Sequence, residues 1–239
     1  MITLSMIVPV FNEKNTVEKT LDKLIKTSID KVKKEIVVIN DGSSDGTSEI
    51  LNNYVKNKKN IILVHHKKNQ GKGAAIRTGM KSAKGDFVVI QDADLEYDPA
   101  YLNKLILPIV NGKTEVVYGT RLNRWPDLKR DERTPRFLLH YLGNRFLSLL
   151  ISILFFRWLT DIETGYKIFP RKIFNQLNIK SFGFEFEPEI TIKLIKKGLR
   201  IIEIPIRTIP RGYSEGKKLN TLRDGSKAIW AILKYRFLD

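Results

Sequence analysis

The 239-residue sequence predicts an α/β protein built on a mostly parallel sheet with helices on both faces. Three observations carry that expectation. Over the first 120 positions, runs rich in β-branched residues alternate with helix-like stretches. The runs are short and nearly all apolar, as strands covered on both sides are. Apolar residues form 42% of the chain, enough for a large core and too many for a disordered chain.

Taken in order, strands are expected at 4–10, 35–40, 60–65, 86–91 and 115–119, and helices at 16–27, 44–55, 73–83 and 99–110. Ser44 or Asp45 suits the N-cap of the second helix, and Asp98 followed by Pro99 is an N-cap with proline at the first helical position. From Arg121 the alternation breaks. A charged, proline-containing stretch (121–136) leads into a long apolar helix at 137–159. Short strands near 165–169 and 200–206 bracket a helix at 188–197, and a basic loop (207–218) precedes a last helix at 224–235. This half reads as an elaboration of the same sheet, so one domain is expected over 1–239, with a ligand-binding part at 1–120 and an added part at 121–239.

Composition narrows the function classes. Lys plus Arg number 42 against 26 Asp plus Glu, a net charge of +16, which calls for an anionic partner: nucleic acid, an acidic membrane, or a phosphate-bearing substrate. With no cysteine, disulfides, thiolate zinc sites and Cys nucleophiles are excluded, and three histidines make a poor basis for a metal site. The start, MITLSMIVPVFNE, has no basic n-region or cleavage site, so no signal peptide is expected. No run of 18 apolar residues occurs, so no ordinary transmembrane helix is expected either. The apolar run 146–156 lies between Arg145 and Arg157, and as a helix would cover about 16 Å, half of a bilayer core. A nucleic-acid binder is a poorer fit, since aromatics do not interleave with the basic residues and no helix-turn-helix pattern occurs.

Ligands of a parallel sheet bind outside the carboxyl ends of its strands. Three acidic segments fall there: Glu13 after the first strand, Asp41 after the second, and Asp92, Asp94 and Glu96 after the fourth. Carboxylates so crowded repel unless a cation or ligand donors separate them. An Asp-x-Asp pair is weak by itself, and its position at the strand end is what raises it. Oxygen ligands of this kind suit Mg²⁺ or Mn²⁺, which binds substrate phosphates at the same time. Asp92, Asp94 and Glu96 are therefore the candidate metal ligands; a solvated acidic turn is the competing account, and it fits Asp98 better.

The segments Val8-Pro9-Val10-Phe11-Asn12-Glu13, Ile39-Asn40-Asp41-Gly42-Ser43-Ser44-Asp45 and Asp92-Ala93-Asp94 together resemble the family 2 glycosyltransferases of the GT-A fold. Later segments resemble, within that family, the polyprenyl- or dolichyl-phosphate sugar synthases. These are Gly119-Thr120-Arg121, Asp161 to Lys167 (DIETGYK), Phe184 to Glu189 (FEFEPE) and Ser214 to Lys218 (SEGKK). The resemblance runs over nearly the whole chain and implies a Rossmann-like GT-A sheet, a nucleotide-sugar donor, Mg²⁺ or Mn²⁺, and inversion at the anomeric carbon. Asn40 stands where an aspartate is most often found.

By that resemblance, Pro9, Phe11, Glu13, Ile39, Asp41, Asp92 and Ala93 belong to the nucleotide site. Asp41 would accept from a base ring N–H and Glu13 from ribose hydroxyls. Strand termination and core packing are the competing account of Pro9 and Phe11. Lys72, in Gln70-Gly71-Lys72-Gly73 before a helix, can face a diphosphate, although a tight helix start explains the glycines as well. The Gly-Lys-Gly form is nearer the UDP-sugar branch than the GDP-mannose branch.

A sugar hydroxyl acceptor needs a carboxylate base, whereas a lipid phosphate is already mostly a dianion and needs cations instead. Arg121, Arg136, Arg211 and Lys218 are the expected phosphate binders, with a solvated basic face as the alternative. Asp94, Arg121 and Arg136 are assigned to catalysis. Asp161, Glu163 and Glu187 are expected to bind donor-sugar hydroxyls or to anchor the arginines; with a saccharide acceptor, one of the late carboxylates would be the base. A family 2 enzyme extending a polysaccharide is thus the rival reading. In the 137–159 helix, His140, Asn144, Ser148 and Ser152 recur every four residues in one narrow polar stripe. The remaining apolar surface must be covered by protein core or by membrane. A cytoplasmic protein, peripheral on an anionic membrane, is the expected localisation.

Overall fold

The computed structural model describes residues 1–58, 60–125, 135–209, 211 and 221–238, with only the backbone at 135, 136, 221 and 222. The first part follows the expected alternation: β1 (Ile2–Val10), α1 (Val17–Lys26), β2 (Val32–Asn40), α2 (Thr47–Val55), β3 (Ile61–His65), α3 (Lys72–Ser82) and β4 (Phe87–Ile90). A 3₁₀ turn (Pro99–Tyr101), α4 (Leu102–Val110) and β5 (Val116–Thr120) complete it. Asp98 caps the turn as expected, its carboxylate accepting from Ala100 N at 3.0 Å. The N-cap of α2 is Gly46 rather than Ser44 or Asp45, yet Asp45 still accepts from Thr47 N at 3.0 Å.

The second part comprises α5 (Pro135–Phe155), β6 (Lys167–Pro170), α6 (Arg171–Leu177), α7 (Phe186–Lys196), β7 (Ile201–Pro205) and α8 (Thr221–Phe237). The short helix α6 was not anticipated. The seven strands among the described residues form one sheet in the order β3-β2-β1-β4-β6-β5-β7. Only β6 runs against its neighbours, so the carboxyl ends of the other six reach one edge. The amino end of β6 reaches that edge too. This reversal brings the segment 161–167 beside the carboxyl ends of β4 and β5.

Alternation along the strands splits the core in two. Leu4, Met6 and Val8 of β1 and Val38 of β2 meet Val17, Leu21 and Leu24 of α1 and the apolar side of α4. On the other face Ile7, Val37 and Ile39 meet Ala75, Ile76 and Met80 of α3, with Phe186, Ile190 and Leu194 of α7. Gly79 permits that contact, since a Cβ there would lie 2.6 Å from Ile7 Cγ2. A third cluster joins Leu147 and Ile151 of α5 to Ile192 of α7 and to Ala228, Ala231 and Ile232 of α8.

The long apolar helix ends earlier than expected, at Phe155 rather than 159, because Phe156 adopts φ +52° and turns the chain back. Its polar stripe faces the protein. Ser148 Oγ accepts from Ile162 N at 3.1 Å and Ser152 Oγ from Leu159 N at 3.0 Å, pinning the returning segment. The apolar side faces outward: Leu139, Leu142, Phe146, Leu149 and Ile153 are 46–61% exposed. By length and composition this is one helix able to cross a membrane, contrary to the expectation that none would be. Leu147 and Ile151 pack it on α7 and α8, so one side of the helix is covered by protein.

Candidate active site

The carboxyl edge of the sheet opens into a cavity of about 650 Å³. Of the residues expected in the site, Pro9, Phe11, Glu13, Asp41, Lys72, Asp92, Ala93, Asp94, Glu96, Arg121, Glu163, Glu187 and Arg211 all line it. One assignment meets a different placement. Ile39 is wholly buried beneath α3, because the β alternation points it into the core and away from the cavity. Of the two roles expected of Asp161, its placement gives the anchoring one: it is fully buried behind Arg121 and holds that guanidinium. Lys218 and the side chain of Arg136 lie outside the described residues.

At one end, Asp41 organises the loop before α3. Its Oδ1 accepts from Gln70 N (2.9 Å) and pairs with His66 Nδ1 (2.6 Å). Its Oδ2 accepts from Asn69 Nδ2 (2.9 Å) and Gly71 N (2.8 Å). Four protein partners already engage the carboxylate expected to meet a base directly, so here it orders the loop. Gly71 sits at φ +95°, a left-handed turn that glycine adopts without strain.

In the centre, Lys72 Nζ lies 2.9 Å from Asp92 Oδ1 and 3.1 Å from Glu187 Oε1. Burial opposes its charge, but Asp92 and Glu187 outweigh that and hold the ammonium charged well beyond its ordinary range. Glu187 also pairs with Lys167 Nζ at 2.5 Å, completing a buried chain of alternating charge. Gly165 brings this wall close: a Cβ there would stand 2.5 Å from Asp92 Oδ2.

Asp94 Oδ1 accepts from Glu96 N at 3.0 Å, closing a tight turn in which Leu95 is left-handed at φ +65°. Burial, followed by the charges of Asp92 and Glu96, pushes Asp94 up to about 7. Arg211 answers this crowding. Its guanidinium grips Glu13 through two 3.0 Å hydrogen bonds and comes within 3.4 Å of Asp94 Oδ2. Its backbone N–H donates to Glu96 Oε1 at 3.1 Å. The expected three-carboxylate metal set is therefore not assembled, and among the described residues no three acidic or histidine groups converge on one point. Asp92 leans to Lys72 and Glu96 to Arg211.

A divalent cation still fits the donor chemistry of the Asp92–Asp94 turn. It offers oxygen ligands only and excess negative charge, and Mg²⁺ or Mn²⁺ commonly takes one or two carboxylates with substrate phosphates completing its shell.

Arg121, directly after β5, donates from Nε (2.7 Å) and Nη2 (2.8 Å) to Asp161, whose Oδ2 also accepts from Arg121 N. Asp161 N in turn donates to Glu203 Oε1 at 3.0 Å, so β7 braces the pair. Beside them Glu163 Oε1 is buried with no hydrogen-bond partner among the described residues. Burial and then the charge of Glu187 push Glu163 up to about 7, with Lys167 and Arg121 opposing. A carboxyl raised from 4.5 holds an extra proton in the folded state between pH 4.5 and 7, so that part of the stability is lost as pH rises through the window. Glu163→Gln is therefore expected to melt higher than the wild type above pH 7 and to match it below about pH 5. Melting curves at pH 5 and pH 8 check this; an equal offset at both would refute it.

Several participants escaped sequence reading. His66 and Tyr97 had no pattern to announce them; Asn69 and Lys167 lay within the segments Asn69-Gln70-Gly71 and DIETGYK, but were given no role there. His140 and Asn144 line the cavity, and Arg223 and Lys227 of α8 join them.

A nucleotide-sized cavity at the carboxyl edge, with an Asp-x-Asp turn at its centre, is the arrangement of the GT-A glycosyltransferases. Residues 5–177 match Glycosyl transferase family 2, and the chain belongs to that family. It is 29% identical over 245 residues to a UDP-N-acetylglucosamine–dolichyl-phosphate N-acetylglucosaminyltransferase of Methanococcus voltae, covering 95% of this chain and 94% of that protein. A dolichyl-phosphate beta-glucosyltransferase of Trichomonas vaginalis is 32% identical over 217 residues, covering 85% of this chain and 64% of that one. Among solved structures, glucosyl-3-phosphoglycerate synthase from Mycobacterium tuberculosis, in complex with Mn²⁺, UDP-glucose and phosphoglyceric acid, superposes with a TM-score of 0.71. That match covers 100% of this chain and 81% of the other at 18% identity, a likeness of fold.

Proposed function

We propose that this glycosyltransferase moves a hexose from a nucleotide sugar to a polyprenyl or dolichyl phosphate, with inversion. A UDP-sugar donor is favoured over GDP-mannose. One observation carries the reading: the cavity runs from the Asp92–Asp94 turn to Arg121 and α5, a helix whose polar stripe faces inward and whose apolar side faces out. A polar headgroup inside and an apolar chain outside match that wall. The relatives named for dolichyl-phosphate transfer support the same acceptor class.

In this mechanism the loop ordered by Asp41 receives the base, and Asp92 and Asp94 would hold Mg²⁺ or Mn²⁺. When bound, the cation supplies Lewis-acid neutralisation of the departing diphosphate. The donor sugar lies against Glu163 and Glu187. Arg121, kept rigid by Asp161, orients the acceptor phosphate. A phosphate oxygen forms a bond to the anomeric carbon as the bond to the nucleoside diphosphate breaks, and no base is required because the acceptor arrives deprotonated. With an α-linked donor, NMR of the product should show a β-linked lipid phosphate sugar. An α product, or transfer only to a free oligosaccharide, would refute the reading. The latter result would favour polysaccharide extension, with Glu163 as the base.

The acceptor implies attachment to a membrane, on its cytoplasmic face. The outward side of α5 continues onto α8, where Trp230 and Phe237 are 61% and 68% exposed. Burying each such side chain contributes roughly 1.5–3 kcal/mol, and each nearby Lys or Arg about 1 kcal/mol on anionic lipid. Co-sedimentation with phosphatidylserine-containing vesicles is expected, weakened by salt and lost in Phe146→Ser/Ile153→Ser. These side chains face solvent, so the variant should melt like the wild type. Unchanged sedimentation of the variant would refute the assignment.

A further inference from the structure

Resting on the acceptor class proposed above, we propose that α8 completes the acceptor-phosphate cradle: Lys227, with Arg223 one turn before it, faces the cavity beside Arg121, His140 and Asn144.

The cavity holds many carboxylates, so each of its cations must be asked what remains for a ligand. Lys72 is shared between Asp92 and Glu187, and Arg211 among Glu13, Asp94 and Glu96. Arg121 gives two of its five N–H groups to Asp161. Three N–H groups remain to meet a phosphate monoester whose three terminal oxygens each accept more than one hydrogen bond. One arginine is too little for a dianion entering a site already lined by Asp94, Glu163 and Glu187. Lys227 is different. It lines the cavity and has no ion pair or hydrogen bond among the described residues.

The position follows from helix geometry. Arg223 and Lys227 are four residues apart and share one side of α8, as His140 and Asn144 do on α5; both pairs line the cavity. The two helices pack together, and α5 is tied to the segment after Arg121 by Arg145 Nη1 donating to Leu122 O at 3.0 Å. Asp224 accepts from Arg223 Nε at 3.1 Å, which orients the guanidinium at the rim. Both helices thus turn polar groups to the cavity and apolar groups outward. A lipid phosphate anchored in the outer apolar layer would meet Lys227 and Arg223 on its way to Arg121.

The test separates contact with the phosphate from attraction to a charged membrane. Geranyl phosphate, a soluble ten-carbon acceptor, and a long-chain polyprenyl phosphate in vesicles are assayed with whichever of UDP-glucose, UDP-N-acetylglucosamine or GDP-mannose the wild type uses. In Arg223→Ala/Lys227→Ala, KM for geranyl phosphate should rise about tenfold or more, while KM for the donor stays unchanged. Lys227→Arg should recover most of the loss, which a packing role would not produce. Both side chains are exposed, so folding should be retained; if the double variant melts early, Lys227→Ala alone carries the same expectation. An unchanged KM for geranyl phosphate, with loss only on anionic vesicles, would overturn the assignment and make α8 a membrane contact. If the wild type glycosylates neither acceptor, the acceptor reading itself fails and this assignment falls with it.

Discussion

Asp94→Asn is expected to lower turnover by about 10³-fold or more while leaving the fold intact. Asp94 lies at the turn after β4, where burial and the neighbouring carboxylates give it an energetically unfavourable charge. Such a group is poised to accept a cation, and asparagine keeps its shape while removing that charge. The variant should retain its melting temperature, or gain slightly, because like-charge repulsion is relieved. Mn²⁺ binding followed by electron paramagnetic resonance in the presence of UDP should fall in parallel with turnover. Full activity in excess EDTA, or an Asp94→Asn enzyme working at the wild-type rate, would refute the role of the turn in holding a metal.

Asp161→Asn is expected to destabilise the protein by about 3 kcal/mol or more, because it leaves a largely buried guanidinium without its counter-charge. Asp161 is fully buried and accepts three hydrogen bonds from Arg121, two of them from the guanidinium. In a chain of this size a loss of about 3 kcal/mol corresponds to roughly 6–12 °C in melting temperature. Arg121→Met/Asp161→Leu should recover much of the stability, since removing both partners leaves no orphaned charge. It should remain inactive, because the acceptor side has lost its rigid arginine. Calorimetry on the two variants separates the effects. A double variant as unstable as Asp161→Asn would mean that the segment around 161, rather than the ion pair, carries the stability.

Much of this was readable along the chain. The apolar positions of α1, Val17, Leu21 and Leu24, recur at the helical period, and the β-branched runs of β1, β2 and β4 allow little but buried strands. Because parallel strands end at one edge, Glu13, Asp41 and Asp92–Glu96 could be placed together without coordinates. The apolar character of 137–155 and the surplus of cations were equally plain. Each of these is a local property of backbone period or composition, and so it survives in one dimension.

What only the tertiary structure decided are matters of direction and partner. Whether Ile39 lies in the cavity or the core depends on which face of β2 meets α3. Whether Asp41 is open to a ligand depends on His66 and on a loop some 30 residues away in sequence. The reversal of β6 carries Asp161 and Glu163 to the active edge, and no residue in 161–170 announces that strand's direction. The polar stripe of α5 was visible as a stripe, but its choice between solvent and protein is set by the backbone amides of Leu159 and Ile162, which need partners once buried. Sequence by itself determined which residues form the strands, the helices and the acidic edge of this glycosyltransferase. The packed fold decided which charges are already paired and which remain open to a ligand, because pairing depends on distance and burial between segments far apart in the chain.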